Sequence, residues 1–157
     1  MDKVPMTKTG FIALEAELKN LKSVERPAVI EAISEARGHG DLKENAEYHA
    51  AKERQSFIEG RIQELESAIS LAQVIDPTTM SGDNIMFGAT VVIADEEDDK
   101  EMTIQVVGSY ESNADLGKIS ITAPLGRAMI GKSVGDSVEV RTPKGIKRYE
   151  VVSVIYK

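Results

Sequence analysis

The sequence lacks cysteine and tryptophan, and aromatic side chains make up only 4% of its 157 residues. Without cysteine the chain can form neither disulfides nor thiolate metal sites, and it has no cysteine nucleophile. The scarcity of aromatic side chains argues against a large aromatic-lined ligand pocket. It also lacks an apolar signal segment near its start and any run of ~18 apolar residues. We therefore expect a soluble, cytoplasmic protein without a membrane partner.

Basic charge is also in short supply, because the net charge is -7 and both halves of the chain are mildly acidic. Broad adhesion to nucleic acid requires a basic surface that neutralises phosphates. Any nucleic acid is therefore expected to be reached through a protein partner or a local patch. An apolar content of 41% does allow a hydrophobic core, so the chain has room for one ordinary domain or two small ones.

Hydrophobic spacing predicts a long helical hairpin over residues 1–76, with Thr7 or Thr9 as the first cap. Its first helix carries two runs at steps of three and four, which are Leu14, Leu18, Leu21 and then Ile30, Ile33, Arg37. Pro27 separates the runs, and we expect a bend or a register change there. The second helix carries a heptad seam made of Tyr48, Ala51, Gln55, Ile58, Ile62, Leu65, Ile69 and Ala72. Two antiparallel helices of roughly 30 residues would form a rod on the order of 45 Å long.

The tip of this hairpin, near residues 38–48, carries two glycines and two acids. Gly38 and Gly40 supply a break, because glycine takes left-handed backbone angles without steric cost. Asp41 and Glu44 then have two compatible interpretations. As a capping box they would satisfy backbone N–H groups of the second helix, and the spacing alone favours this. As metal-supporting carboxylates they would help hold Mg²⁺, which takes one or two protein carboxylates and completes its shell with water and phosphate. An exposed pair cannot make a tight site alone, but it can complete a two-metal phosphoryl-transfer centre of another macromolecule.

Other polar clusters have weaker interpretations. His39 and His49 are too few for a zinc site, which needs three or four converging ligands, and we treat both as exposed polar residues. The cations near the tip form either a small basic face or a solvated helix face with charge pairs, and they are Arg37, Lys43, Lys52 and Arg54. A second group forms either a docking patch or, slightly favoured, a charged edge strand, and it consists of Arg141, Lys144, Lys147 and Arg148.

The second half of the chain has the pattern of a small α+β domain. Residues 77–84 are rich in turn formers and predict a linker. Residues 85–157 then show four or five short strands and one short helix, which Pro124 opens and Gly131 ends. The predicted fold is therefore α+β, with a helical hairpin followed by a small curled sheet.

One contiguous stretch carries a family resemblance. Residues 39–53, H-G-D-L-K-E-N-A-E-Y-H-A-A-K-E, resemble the tip of the Gre family of bacterial transcript cleavage factors. Segments with the same likeness lie around Pro27, Asp76, Phe87 and Pro124, so the resemblance spans the chain. It implies an FK506-binding-protein-like fold for the C-terminal domain. It departs from the family pattern at Ala123, where many relatives carry serine, and at Gly38, where a longer residue is expected.

The resemblance implies a non-enzymatic accessory factor of RNA polymerase. In that family the coiled coil enters the secondary channel of the polymerase and the C-terminal domain holds the channel rim. By this likeness Asp41 and Glu44 help the polymerase active site hold a Mg²⁺ ion and a water that cleave the 3′ end of backtracked RNA, so arrested complexes resume elongation. No cofactor is expected on the isolated protein. Partner contacts are expected from the residues Arg37, Lys43, Asn45, Tyr48, Lys52 and, at the rim, Pro124.

Three rival hypotheses predict different results. A channel-blocking inhibitor would stop RNA synthesis without shortening stalled RNA. A prolyl isomerase or chaperone built on the C-terminal fold would turn over a peptide substrate, although few aromatic residues are available for its pocket. A coiled-coil adaptor would be indifferent to the tip acids.

Overall fold

The computed structural model describes residues 2–41 and 44–157 and separates into two compact units. The helical unit contains residues 11–72, and the sheet unit contains residues 3–10 together with residues 73–157. Residues 3–10 belong to the sheet unit, whereas the sequence-based division assigned them to the hairpin. The reason is a strand that the sequence did not reveal, β1 (Val4–Thr7), which pairs with β2 (Ala72–Ile75).

Three α-helices and one π-helical turn form the hairpin. They are α1 (Lys8–Asn20), the π-helical turn (Leu21–Glu25), α2 (Arg26–Arg37) and α3 (Ala46–Ser70). Of the two predicted caps for α1, Thr7 is the one used, because its Oγ1 accepts the N–H of Gly10 at 3.1 Å. None of the helices among the described residues is long and apolar enough to span a membrane.

The π-helical turn ends two residues before Pro27 and shifts the buried face of the first arm. The N–H of Arg26 bonds the carbonyl of Leu21, five residues back, so this turn holds one residue more than an α-turn. Val29 is therefore buried, with 2% of its surface exposed, whereas Ile30 is 51% exposed. The predicted register change is confirmed, but the predicted second run is wrong at two of its three positions: the residues that pack inward are Val29, Ile33 and Ala36.

This register predicts opposite results for two neighbouring truncations. We expect Val29→Ala to lower the free energy of unfolding by about 1–3 kcal/mol, since it removes buried methyl groups and leaves a cavity. Ile30→Ala should change it by less than about 0.5 kcal/mol, because that side chain already faces solvent. Chemical denaturation followed by helical circular dichroism measures both, and a larger loss for Ile30→Ala would contradict the register.

The arms pack along an apolar seam, and ion pairs show that they run antiparallel. On α3 the buried seam residues are Ile58, Ile62, Leu65 and Ala68. Two ion pairs place an acid on the first arm, Glu17–Arg61 and Glu25–Arg54, and two place a cation there, Lys22–Glu66 and Arg26–Glu59. Within each set the partner number on α3 falls as the number on the first arm rises, which only antiparallel arms allow. Exposed pairs of this kind contribute little stability each, so their main effect is on register.

Arg26 and Glu59 form the most regular of these pairs. The guanidinium donates from Nε to Oε2 and from Nη2 to Oε1 of Glu59, both at 2.8 Å. These hydrogen bonds lower the pKa of the Glu59 carboxyl and raise the pKa of Arg26. The two-point contact fixes the arms against each other immediately beyond the π-helical turn.

The sheet unit is built on one five-stranded sheet. Its strands are β3 (Thr90–Asp95), β4 (Glu101–Val107), β5 (Lys118–Ser120), β6 (Ser137–Thr142) and β7 (Gly145–Ile155), in the order β5-β4-β3-β7-β6. All neighbours are antiparallel except β4 and β5, and a bulge interrupts the β3–β7 register between Val92 and Ile93. A short helix, α4 (Pro124–Met129), contributes Met129 to the core beside Val91, Val106 and Val138. The predicted α+β class is confirmed. The predicted linker is partly ordered, since Pro77–Thr79 form a 3₁₀ turn capped by Asp76.

The basic cluster of the last hairpin does not lie on one edge strand. Arg141 is on β6, which is the sheet edge, but Lys147 and Arg148 lie on the inner strand β7. Lys147 contacts Asp95 at 3.0 Å and Arg148 contacts Glu139 at 3.0 Å, so an acid on a neighbouring strand compensates each charge. The backbone N–H of Glu97 and the ammonium of Lys147 lower the pKa of the Asp95 carboxyl. Of Arg141, Lys147 and Arg148, only Arg141 therefore lies on an edge strand, as the favoured interpretation predicted.

Candidate functional site

The end of α2 and the loop that follows it begin the candidate site. The N–H groups of Gly38 and His39 bond the carbonyls of Glu35 and Ala36, both at 3.1 Å, which closes the last turn of the helix. Gly38 is right-handed, with φ of -69°, whereas Gly40 has φ of +114°. The left-handed break that the sequence predicted at two glycines is therefore made by Gly40 alone. The helix α2 extends to Arg37, and Gly38 is its C-cap.

The helix on the other side of the loop begins later than the capping-box prediction requires. Asn45 is its N-cap, with an extended backbone (φ -88°, ψ 96°) and a side-chain Oδ1 that accepts the N–H of Tyr48 at 3.0 Å. The prediction that Asp41 and Glu44 form a capping box is therefore wrong. Asparagine caps as well as aspartate, and Asn45 directly precedes the first helical residue, Ala46.

The side chain of Asn45 makes a second hydrogen bond across the loop. Its Nδ2 donates to the carbonyl of Ala36 at 2.6 Å, and the same carbonyl accepts the N–H of His39. The amide thus bonds the last turn of α2 and the first turn of α3 at once. We call this pair of hydrogen bonds the Asn45 clasp.

Asp41 and Glu44 lie in the loop that this clasp closes, and both side chains are exposed. Neither acid belongs to a helix, and neither is a helix cap. Within residues 2–41 and 44–157, no group of three or more His, Cys, Asp or Glu side chains could hold a metal ion. Two exposed carboxylates match the share of ligands that a protein commonly gives to Mg²⁺.

Aromatic and basic side chains surround the start of α3. The guanidinium of Arg37 lies over the ring of Tyr48, 5.9 Å from its centroid, and the ring of His49 meets Tyr48 edge-on at 5.6 Å. Nδ1 of His39 lies 3.1 Å from Oε2 of Glu47. Both imidazoles are exposed, as the sequence suggested.

Two of the predicted cations border one groove. Arg37 and Lys52 lie on either side of an open groove of about 260 Å³, whose other lining residues are Ile30, Ile33, Ser34 and Gln55. Arg54 does not join them, because it forms an ion pair with Glu25 at 2.9 Å. Lys43 lies outside the described residues. The predicted basic face is thus reduced, in the described part of the loop and helices, to Arg37 and Lys52.

The second predicted contact, Pro124, lies in the sheet unit. Pro124 is the exposed first residue of α4, and its fixed φ suits that position. Ala123 precedes it as N-cap and makes no side-chain hydrogen bond, because its side chain is a methyl group. Gly126 packs its backbone against the carbonyl of Ser120.

Sequence reasoning missed two members of the tip, the carbonyl of Ala36 and the carboxylate of Glu47. A backbone carbonyl leaves no mark in the sequence. Glu47 did leave one, because an acid in the first turn of a helix that starts after Asn45 is a common N-terminal pattern. The capping-box spacing of Asp41 and Glu44 predicted a helix start four residues earlier, so the start after Asn45 was not recognised.

Two family models match the chain over almost its full length. "Transcription elongation factor, N-terminal" matches residues 4–74, and "Transcription elongation factor, GreA/GreB, C-term" matches residues 80–156. The hairpin with its acidic tip and the sheet unit are thus the two parts of a transcription elongation factor. The chain belongs to the GreA/GreB family, as the resemblance of its tip predicted.

Individual relatives extend this result. The chain is 63% identical to transcription elongation factor GreA of Ruegeria pomeroyi over 156 residues, which cover 99% of both chains. It is 64% identical to the GreA of Cereibacter sphaeroides over 154 residues, 98% of both chains. Among solved structures, GreA factor homolog 1 (Gfh1) of Thermus thermophilus is 30% identical, with a TM-score of 0.44 over 97% of this chain and 98% of the other.

Proposed function

We propose that this protein makes RNA polymerase cleave the 3′ end of backtracked RNA, as an accessory factor in the cytoplasm and not as an enzyme itself. The observation that carries the proposal is the position of Asp41 and Glu44. Both are exposed in the loop between α2 and α3, where the cap residues of the two helices are Gly38 and Asn45. Carboxylates placed so far from a packed core are suited to completing a site on a partner.

The dimensions of the hairpin support insertion into a channel. At about 1.5 Å per residue, the 25 residues of α3 span about 38 Å, and each helix is about 10–12 Å wide with its side chains. Two packed helices of this kind form a narrow, stiff arm. Such an arm can carry a loop through the secondary channel of the polymerase to its active site.

The chemistry of the two acids fits a shared metal site. In two-metal hydrolysis Mg²⁺ supplies an activated water and stabilises the charge that develops on the phosphate. Asp41 and Glu44 would hold this ion with part of its oxygen ligands, and the polymerase, the RNA phosphate and water would provide the others. The protein therefore contributes anionic ligands and their position, whereas the polymerase contributes the remaining catalytic groups.

The neighbouring residues support two further contacts. Arg37 and Lys52 border one groove near the loop, so their charges favour a bound phosphate backbone or an acidic wall of the channel. Asn45 and Tyr48 hold the start of α3, and Lys43 would add charge in the same loop. In the sheet unit, the exposed residue Pro124 at the start of α4 is the proposed contact with the channel rim.

A cleavage assay tests the proposal directly. The purified protein is added with Mg²⁺ to a backtracked elongation complex whose RNA carries a 5′ label. We expect the RNA to be shortened from its 3′ end and then extended when nucleotides are supplied. Blocked synthesis without shortening would overturn the proposal in favour of an inhibitor that occupies the channel. Cleavage of RNA by the protein without polymerase would contradict its role as an accessory factor.

A further inference from the structure

The side-chain amide of Asn45 connects both helices of the hairpin next to the tip acids. Its Oδ1 accepts the N–H of Tyr48 at 3.0 Å, and its Nδ2 donates to the carbonyl of Ala36 at 2.6 Å. One partner can only donate and the other can only accept, so these partners fix the orientation of the amide. The clasp therefore requires an acceptor and a donor on the same side chain.

Other good N-cap residues satisfy only half of this requirement. Aspartate would accept the N–H of Tyr48, but it would place a second oxygen against the carbonyl of Ala36. Serine would also cap the helix, but its single, shorter hydroxyl cannot serve both partners. Helix capping alone thus does not explain why the residue is asparagine.

The clasp closes a loop that contains both acids. The hydrogen bond from Asn45 to Ala36 joins residues nine positions apart, and Asp41 and Glu44 lie between them. Glu44 directly precedes Asn45, whose backbone angles are those of an N-cap. Holding ligands in place before the partner binds removes an ordering cost from the reaction.

We propose that Asn45 is a positioning residue that holds the loop of Asp41 and Glu44 in the conformation that supports metal binding. This inference rests on the proposed function, because its consequence appears at the shared metal site. It assigns to Asn45 a role in the cleavage reaction through the two acids, with no contact to the reacting atoms.

The first test measures the Mg²⁺ dependence of stimulated cleavage with Asn45→Ser. We expect the Mg²⁺ concentration for half-maximal cleavage to rise about five-fold, the factor that corresponds to one neutral hydrogen bond. The measurement is made at saturating protein for each variant, so that a change in affinity for the polymerase does not enter the Mg²⁺ dependence. Asn45→Asp should shift the Mg²⁺ dependence at least as much. A purely structural role would lower the thermal stability of the hairpin without changing the Mg²⁺ dependence, and that result would overturn the inference.

The second test uses the protein alone. The N–H of His39 and the Nδ2 of Asn45 both donate to the carbonyl of Ala36. Asn45→Ser removes the hydrogen bond from Asn45 that closes the loop, so we expect hydrogen exchange of the His39 N–H to be about five-fold faster. The N–H of Tyr48 should change less, because serine still caps it. Unchanged exchange at His39 would overturn the clasp.

A matched control separates this inference from the proposed function. Asn113 caps the 3₁₀ turn Ala114–Leu116 in the sheet unit, and Asn113→Ser should alter neither readout. If wild-type protein fails to stimulate cleavage, the proposed function is wrong, and the exchange of His39 still decides whether the clasp exists. If wild-type protein stimulates cleavage and Asn45→Ser keeps its Mg²⁺ dependence, the positioning role is wrong and the proposed function stands.

Discussion

The double substitution Asp41→Asn and Glu44→Gln is expected to reduce stimulated RNA cleavage by about 100-fold or more while the protein stays folded. The amides are nearly the same size as the acids they replace, but they cannot offer anionic oxygens to a metal ion. Neither acid caps a helix, since that role belongs to Asn45, so the loop loses no helix cap. The measurement is the rate of 3′ shortening in the backtracked complex at saturating protein and fixed Mg²⁺.

Two controls show whether the effect belongs to this pair of acids. Glu47→Gln removes one negative charge from the same tip, at the His39 contact, and it should retain most of the stimulation. The double variant should also compete with the wild-type protein for the polymerase, because the hairpin and the sheet unit are unchanged. Normal cleavage with the double variant would contradict the proposed role of the acids, and equal loss with Glu47→Gln would attribute the effect to the total charge of the tip.

Gly126→Ala is expected to destabilise the sheet unit by about 2–3 kcal/mol. A Cβ at this position would lie 2.2 Å from the carbonyl oxygen of Ser120, which is far inside van der Waals contact. Both groups belong to the backbone of packed elements, so neither can move without displacing α4 from the end of β5. Hydrogen exchange of the slowest β3 amides, such as that of Val91, measures the free energy of opening.

Gly60→Ala provides the comparison, with an effect of opposite sign. Gly60 lies inside α3, and a Cβ there would meet nothing within 4 Å. Alanine forms helices better than glycine, so we expect the free energy of unfolding of the hairpin to rise by about 0.8–1 kcal/mol. If Gly126→Ala were as well tolerated as Gly60→Ala, the close packing of α4 on the Ser120 carbonyl would be wrong.

The hairpin could be predicted from the sequence because its signals are local. Steps of three and four identified both arms, and most of the α3 seam is buried or half-buried as expected. The burial of Val29 in place of Ile30 could not be predicted, since a π-helical turn has no residue signature that distinguishes it from an ordinary α-turn. Pro27 marked the place of the register change but not its direction.

The sequence could predict that the candidate residues lie near the tip, but not the hydrogen bonds that they form. The acids, Arg37, Tyr48 and Asn45 all lie at or beside the tip loop. The cap was assigned to Asp41 because Glu44 follows it at the spacing of a capping box, whereas the structure uses Asn45 as the N-cap. The bond from Asn45 to Ala36 depends on where two helices meet, which no local pattern records. The short strands β1 and β2 could not be predicted for a similar reason, since each consists of four residues and is defined by pairing with a distant segment.

The π-helical turn has a consequence for the repeat that underlies the first arm. Its buried and half-buried apolar seam residues include Leu14, Leu18, Leu21, Val29, Ile33 and Ala36. Leu14 to Leu21 and Val29 to Ala36 are steps of seven residues, whereas Leu21 to Val29, the stretch that contains the π-helical turn, is a step of eight. The first arm is thus a heptad repeat with a one-residue insertion, which the π-helical turn accommodates. An alignment of the two arms by heptads therefore requires a one-residue gap at the π-helical turn. Residues after this turn, including Ala36, face their partners on α3 only because the turn accommodates the extra residue.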